Sequence, residues 1–329
     1  MSRYLLSIDS GGIRGIIPAI ALMKLESTTG KLTRDIFSFV AGTSTGAILA
    51  AAIAAGVPAS RILDFYVNRT KDIFDQNPFR FVKLVLSGSM YSTEQLRDLI
   101  AEALGPARTW VLNDCPIDVL LTAKRISDGM PWYFVRDNPR NAGCTGRLGL
   151  VDCTTASAAA PTFFQPWRIL ESSTPSQCEP IGALVDGALG VTGNPVYQAC
   201  IEAFEYTPGF TPAETITVSL GTGKFKKRKE PTWIGAWLEW ILAELLESPG
   251  EQQTEFTWQH FPEMTFYRID TELKEDIGLD NPRKIERLVE YGEQLAATID
   301  WEAILAGTDD QFRIDGTNTL WEQYKVQVS

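Results

Sequence analysis

Histidine is almost missing from this chain: among 329 residues only His260 carries an imidazole. Any chemistry that recruits a histidine base has one residue to draw on. Cysteine is sparse too. Cys115, Cys144, Cys153, Cys178 and Cys200 are odd in number and lack C-x-x-C spacing, which argues against a zinc cluster and a complete disulfide framework. Reduced thiols in a cytoplasmic protein are the expectation. Basic residues are outnumbered 30 to 41, giving a formal charge of -11 that argues against wrapping nucleic acid and disfavours long-range attraction to anionic membranes. No window approaches the roughly 20 apolar residues of a membrane span. The apolar start of the chain stops at Asp9, too short for a signal peptide. Internal repeats and low-complexity linkers are also absent, and an apolar fraction of 44% with 22% charged residues is that of a globular protein.

What is present is organised around Gly42-Thr43-Ser44-Thr45-Gly46. The apolar run Ile36 to Ala41 before it reads as a buried strand, and the alanine-rich run Ala47 to Ala55 after it as a helix. Ser44 therefore stands at a strand-to-helix corner, where Gly42 and Gly46 remove side chains that would clash. The corner presents its hydroxyl at a helix N-terminus, which favours negative charge. A nucleophilic serine is the functional reading; an ordinary Gly/Ser/Thr turn is the bland one.

A second glycine corner lies upstream. Tyr4 to Asp9 reads as a strand, Ser10-Gly11-Gly12-Ile13-Arg14-Gly15 as a loop, and Ile16 to about Thr28 as a helix with Pro18 in its first turn. Such a loop offers backbone amides to a phosphate or to the oxyanion of acyl transfer. Nucleotide fingerprints fail in detail: Ser10 stands where the dinucleotide motif needs glycine, and the Walker Lys-Ser/Thr is missing. Two glycine corners, one with an exposed serine, favour acyl transfer.

Further along, Ala59 to Phe74 is helical in pattern, Asn77 to Leu96 is a mixed connector or lid, and Pro116 to Ile126 with Pro131 to Val135 form a hairpin around Ser127-Asp128-Gly129. Val151 to Ala160 reads as a helix, Leu184-Val185 leads into Asp186-Gly187-Ala188, Asn194-Pro195 opens a helix to about Phe204, and Thr215 to Leu220 is a strand. The alternation predicts an α/β fold with a largely parallel sheet. Two regions follow, a core over 4–223 and an extension over 224–329 packed on it. The extension opens with the basic run Lys224, Lys226, Lys227, Arg228 and Lys229, then a helix Trp233 to Leu246 carrying Trp233, Trp237 and Trp240. Cations beside tryptophans suit peripheral contact with a lipid surface, against the bland reading of a solvated loop and a core stripe. The acidic stretch Asp270 to Asp280 lacks a calcium-loop pattern and reads as a solvated segment. A last helix spans Pro282 to Leu305.

Taken together, Asp9 to Gly15, Gly42 to Gly46, Ala156 to Phe164 (ASAAAPTFF), Asp186-Gly187-Ala188 with Asn194-Pro195, and Ser219-Leu220-Gly221-Thr222-Gly223 resemble the motifs of the patatin-like phospholipase family, in that family's order over about two thirds of the chain. The resemblance implies a three-layer α/β/α fold, a Ser-Asp dyad and calcium-independent hydrolysis of lipid acyl esters, with no metal or cofactor. Carried over by residue, Ser44 is the nucleophile, Asp186 its base, and Gly11, Gly12, Ile13, Arg14 and Gly15 the oxyanion loop, with Gly42, Gly46, Gly187 and Ala188 supporting the motifs. One departure stands out. Ser10 replaces the first of three glycines, so the loop has to hold it at negative φ or accept strain. The order Ser44, Asp186, His260 matches that of α/β-hydrolase triads, but the surroundings of His260 lack a motif and the resemblance supplies a base without it. Phospholipids or related acyl esters are the expected substrates. The alternatives are a catalytically silent lipid- or nucleotide-binding module, or an acyltransferase using the same site.

Overall fold

The computed structural model describes residues 3–74, 84, 87–139, 144–169, 181–225, 230–232, 237, 240, 244 and 249–315. Strand β1 (Arg3–Ile8) leads through a 3-10 turn (Gly12–Gly15) into α1 (Ile16–Thr29). A short α2 (Thr33–Ile36) takes up the start of the run read as a strand, so β2 is Phe39–Thr43, followed by α3 (Thr45–Ala55), α4 (Ala59–Ile73) and α5 (Thr93–Leu104). The hairpin β3 (Asp118–Arg125) and β4 (Pro131–Val135) closes on Gly129 at φ 69°, as its turn sequence predicts. Then come α6 (Leu150–Ala158), β5 (Trp167–Arg168), β6 (Ala183–Asp186) and α7 (Val196–Ile201), the last running into a π turn. The chain continues with β7 (Thr215–Leu220), α8 (Pro249–His260), β8 (Thr265–Ile269), α9 (Ile285–Thr298) and α10 (Trp301–Ala306).

The eight strands make one mixed, mostly parallel sheet ordered β5-β6-β3-β2-β1-β7-β8, with β4 also paired to β3. Strand period two sends alternate side chains to opposite faces. Leu6, Ile8 and Val40 enter the larger core with α1, α3, α4, α5, α6 and α9, whereas Leu5, Phe39, Ala41 and Leu120 enter a smaller one with α7 and α8. Helices thus cover both faces, giving the α/β/α layering expected. In α3 every residue from Thr45 to Ala54 is buried, which explains its uniformly small, apolar composition.

Several local expectations change in three dimensions. The single helix read over Pro282 to Leu305 is two, because Asp300 caps a new start by accepting from the Ala303 amide. The stretch Asp270 to Asp280 is not simply solvated. Asp270 pairs with Arg268 in an environment where its side chain is only 14% exposed, and Leu273 and Ile277 are buried. Nor are all thiols reduced: Cys115, Cys153 and Cys200 are free and buried, but Cys144 is disulfide-bonded. Of the basic and tryptophan-rich segment, the half-buried Lys224 pairs with Glu251 and Asp270 at 3.1 and 3.7 Å, Trp237 is exposed and Trp240 half-buried, while Lys226, Lys227, Arg228, Lys229 and Trp233 lie outside the described residues. Of the Asn77 to Leu96 connector, residues 77–83, 85 and 86 lie outside them too, and its end from Thr93 belongs to α5. Among the described residues no helix is long and apolar enough to cross a membrane. Strand β8 extends the sheet beyond β7, and α9 crosses α1 where Gly292 lets the helices meet: a Cβ there would lie 2.7 Å from Ile20.

The closest backbone approach is at the Gly42 to Gly46 corner. A Cβ on Gly42 would fall 2.0 Å from the Gly46 carbonyl oxygen, and one on Gly46 would fall 2.2 Å from that of Ile8. Both obstacles are main chain, so β1, β2 and α3 would have to part. Gly46→Ala is expected to lower the unfolding free energy by about 1–3 kcal/mol in urea titration, whereas Gly278→Ala, whose Cβ meets nothing closer than 3.9 Å, stays within about 0.5 kcal/mol of wild type.

Candidate active site

The site is set by which strands share β3. Leu121 pairs with Gly42 of β2 on one side and Phe134 of β4 on the other. Two residues on, Ala123 pairs with Trp132 of β4 and Asp186 of β6. Since β4 holds the same side throughout, β6 takes over the side that β2 leaves. Strand β2 ends at Thr43, opposite Thr122, and β6 arrives antiparallel with Asp186 opposite Ala123. Ser44 and Asp186 are brought end to end along one edge of β3.

Ser44 adopts φ 57° and ψ -121°, a conformation that L-residues resist and that costs about 1–3 kcal/mol. Neighbours hold it there: its amide donates to Ser157 Oγ at 3.0 Å, and its carbonyl accepts from the Ala47 and Ile48 amides at 2.9 and 3.2 Å. Buried hydroxyls lock the surrounding frame. Thr43 Oγ1 lies 2.7 Å from Thr122 Oγ1 and donates to the Thr192 carbonyl at 2.5 Å, while the Thr192 hydroxyl donates to the Gly187 carbonyl. Gly187 itself fits only without a side chain, since a Cβ would sit 2.2 Å from Thr122 Oγ1. The ASAAAPTFF segment ties both halves together, because Ser157 receives the Ser44 amide and the Ala159 carbonyl receives that of Asp186 at 3.0 Å.

Asp186 is 1% exposed. Its Oδ1 accepts the Ala188 amide at 2.8 Å, and Oδ2 makes no hydrogen bond of standard geometry. Ser44 is nonetheless the one side chain whose hydrogen bonding acts on the carboxyl's ionisation, a looser contact of the kind common in unliganded sites. Burial pushes the carboxyl up from 3.8 to about 7, against the opposing pull of Ser44 and the Ala188 amide. An aspartate raised this far is a usable base near neutrality.

The glycine loop lies beside the dyad, and its amides divide into two sets. Ser10 N donates to Gly193 O at 2.8 Å, Ile13 N to Leu279 O at 2.9 Å and Arg14 N to Gly11 O at 3.1 Å. The amides of Gly11 and Gly12 have no hydrogen-bond partner among the described residues. Gly12, at φ 58°, leaves room for the Leu279 carbonyl, which a Cβ would approach to 2.3 Å. The candidate donor set thus narrows from Gly11, Gly12, Ile13, Arg14 and Gly15 to the first two. Arg14 is 2% exposed and serves the loop, with Nε on the Gly11 carbonyl at 3.3 Å and Nη1 on that of Gly223 at 3.4 Å. Ser10 keeps negative φ, so the serine that replaces a glycine brings no left-handed strain, and it does not cap the following turn.

An apolar cleft opens from these groups, walled by Ile48, Phe65, Phe74, Leu96, Phe163 and Phe164. Ser10 to Arg14, Ser44 and Asp186 line its polar end, so the reactive groups and an apolar channel are continuous. His260 is elsewhere. It ends α8 on the opposite face of the sheet from α3, exposed, with Nδ1 2.7 Å from the Tyr197 hydroxyl and its ring stacked on Phe261. Residues that sequence reading missed include Ser157, Thr43, Thr122, Thr192, Leu279 and Arg268. Ser157 lay within a quoted motif; the others carry no local signal, because their partners are distant in the chain.

Two outcomes follow from Asp186. If Asp186 acts as a base it does so ionised, so kcat/KM for any turnover at this site is expected to rise with pH through about 7 and to show no such step from His260, whose alanine variant retains turnover. Because the folded state binds this proton more tightly than the unfolded chain, its stabilising contribution is full below about pH 4 and is lost as pH rises through about 7. The interval from 3.8 to about 7 corresponds to about 4 kcal/mol at most. Asp186→Asn is therefore expected to be inactive yet to melt higher than wild type at pH 8, by calorimetry, with the gain shrinking toward pH 4.

Comparison with known proteins places these observations in context. A family model described as Patatin-like phospholipase matches residues 6–199. A cGAMP-activated phospholipase of Escherichia coli (strain TW11681) is 31% identical over 211 residues, covering 60% of this chain and 55% of that protein. Patatin-03 of Solanum tuberosum is 28% identical over 282 residues, covering 76% of this chain and 70% of its own. Among solved structures, VipD from Legionella pneumophila aligns over 90% of this chain and 67% of its own, with 12% identity and a TM-score of 0.43. The chain thus spans little more than half the length of the bacterial relative.

Proposed function

Because the chain belongs to the patatin-like phospholipase family, we propose that it is a serine lipid acyl hydrolase, cleaving acyl esters of phospholipids or related lipids through Ser44 and Asp186. The observation that carries this reading is the meeting of β2 and β6 end to end along β3, with the two side chains at the head of an apolar cleft. In the first half-reaction Ser44 Oγ attacks the ester carbonyl carbon while its proton passes to Asp186. The carbonyl oxygen becomes an oxyanion facing the Gly11 and Gly12 amides. Collapse breaks the bond to the alcohol oxygen, which takes the proton from Asp186 and leaves as the deacylated lipid. Water then loses a proton to Asp186 as it attacks the acyl-serine, and collapse releases the fatty acid and returns the proton to Ser44.

Magnitudes support a dyad. General-base assistance contributes about 10²- to 10⁴-fold and each preorganised oxyanion donor about 10²- to 10³-fold, so base and amides together reach the scale of an enzymatic rate without an imidazole. The apolar walls suit an acyl chain: each methylene buried contributes about 0.8 kcal/mol. The basic run Lys224, Lys226, Lys227, Arg228 and Lys229 with Trp233, Trp237 and Trp240 remains the candidate for peripheral lipid contact, Lys224 being already paired with Glu251 and Asp270.

The test is acyl release from defined phospholipid vesicles, followed by mass spectrometry of the free acid and the lysolipid. Wild type is expected to release fatty acid and to label with a fluorophosphonate on Ser44. Ser44→Ala and Asp186→Asn are expected to fall to background while keeping the wild-type fold by circular dichroism. Turnover that survives Ser44→Ala would refute the assignment.

A further inference from the structure

The glycine loop has little stiffness of its own. Gly11 and Gly12 are adjacent, and glycine resists deformation least of all residues. Their amides are useful to an oxyanion only if the loop is fixed from outside, because donors help only when preorganised. The fixing on the Arg14 side is described above: Arg14 on Gly11 and Gly223, and the Leu279 carbonyl on Ile13. At its entry stands Asp9, one residue before Ser10, and what holds Asp9 comes from far away in the chain.

Arg268 on β8 donates from Nη1 to Asp9 Oδ1 at 2.9 Å and from Nη2 to Asp9 Oδ2 at 2.5 Å. The same guanidinium reaches Ser219 Oγ at 2.7 Å and Asp270 Oδ2 at 3.1 Å. It therefore ties β1, β7 and β8, three adjacent strands, at the edge where their loops leave the sheet. Side-chain exposures of 8% for Arg268 and 11% for Asp9 put the pair out of reach of solvent screening. Asp270 passes the constraint on by accepting the Gly223 and Thr271 amides, both at 2.9 Å, and Thr222 returns it by donating to the Ser10 carbonyl at 2.6 Å. Two of these contacts bear directly on the chain leading into Gly11: the fork on Asp9 and the Thr222 hydroxyl on the Ser10 carbonyl.

We propose that Arg268, acting through Asp9, is a positioning residue that fixes the Gly11 and Gly12 amides for the oxyanion. Chain beyond residue 199, where the family match ends, thus completes the loop. This rests on the acyl-hydrolase reading. A buried ion pair is weak support for stability as such, since apolar residues of similar volume often serve as well. What the fork supplies is direction: two parallel hydrogen bonds fix the carboxylate plane, which a lysine ammonium does not do.

The experiment uses the full chain with Arg268→Lys and Asp9→Asn, the second preserving volume in case the first fails to fold. A misplacement of about 1 Å costs on the order of 10²-fold in rate, so kcat on a soluble acyl ester is expected to fall about 10- to 100-fold with KM within about twofold of wild type. The double variant is expected to lose no more than the worse single one, because the two residues act as a unit. Hydrogen exchange followed by mass spectrometry is expected to quicken in residues 9–15 of both variants and to stay unchanged around Ser44. Turnover within threefold of wild type in a folded variant, a raised KM with kcat kept, or multiplicative losses in the double variant would each overturn the proposal. Should wild-type turnover prove insensitive to Ser44→Ala, the hydrolase reading falls instead. The exchange measurement needs no substrate and still decides the pair: unchanged exchange over 9–15 overturns it.

Discussion

One edge of strand β3 is shared by two strands that never pair with each other along their length. The edge accommodates β2 up to Thr43 and β6 from Asp186 backwards, and the gap between them is where Ser44 and Asp186 face one another. Much of the active end is arranged to keep that gap narrow and filled. The threonine hydroxyls at 43, 122 and 192 bridge it, Gly187 lets the β6 turn lie against Thr122, and Ser157 and Ala159 bind one partner each from the helix side. Shared pairing explains why an antiparallel strand interrupts a mostly parallel sheet here. Only a strand running toward Ser44 can deliver its last residue at that point.

The geometry runs against local preference at both residues of the proposed dyad. Ser44 occupies a backbone region that costs about 1–3 kcal/mol, and Asp186 sits where its charge is disfavoured. In the proposed mechanism each penalty has a use that a relaxed residue would lose. A serine with ordinary angles would turn its hydroxyl along the helix, and a solvated aspartate would be too weak a base. The stability that tolerates them comes from the large core under α1, α3 and α9, where small residues permit close helix and strand approach.

Electrostatics divide the site into two regions. Around Asp186 few polar partners exist, so burial dominates and raises its proton affinity. Around Asp270 a buried guanidinium, an ammonium and two backbone amides outweigh burial and hold its carboxyl below the usual range, whereas burial still raises that of Asp9 against the pull of Arg268. The same residue type is pushed in opposite directions at Asp186 and Asp270, and what differs is the number of donors each finds.

Much was legible in the sequence because its signals are local. A glycine two residues either side of Ser44 reports close backbone packing, verified by the 2.0 and 2.2 Å approaches a Cβ would make, and the apolar run after it reports a fully buried helix. Alternating strand and helix patterns gave the layered α/β class for the same reason: they reflect periodicity within a few residues. Tertiary structure alone decided the rest. It split the loop amides into bonded and unbonded sets through Leu279, turned an acidic stretch into a buried anchor through Arg268, and put His260 on the far face of the sheet. Leu279 and Arg268 lie more than two hundred positions from the loop residues they bind, and such long-range pairing leaves no mark on the local pattern of either partner.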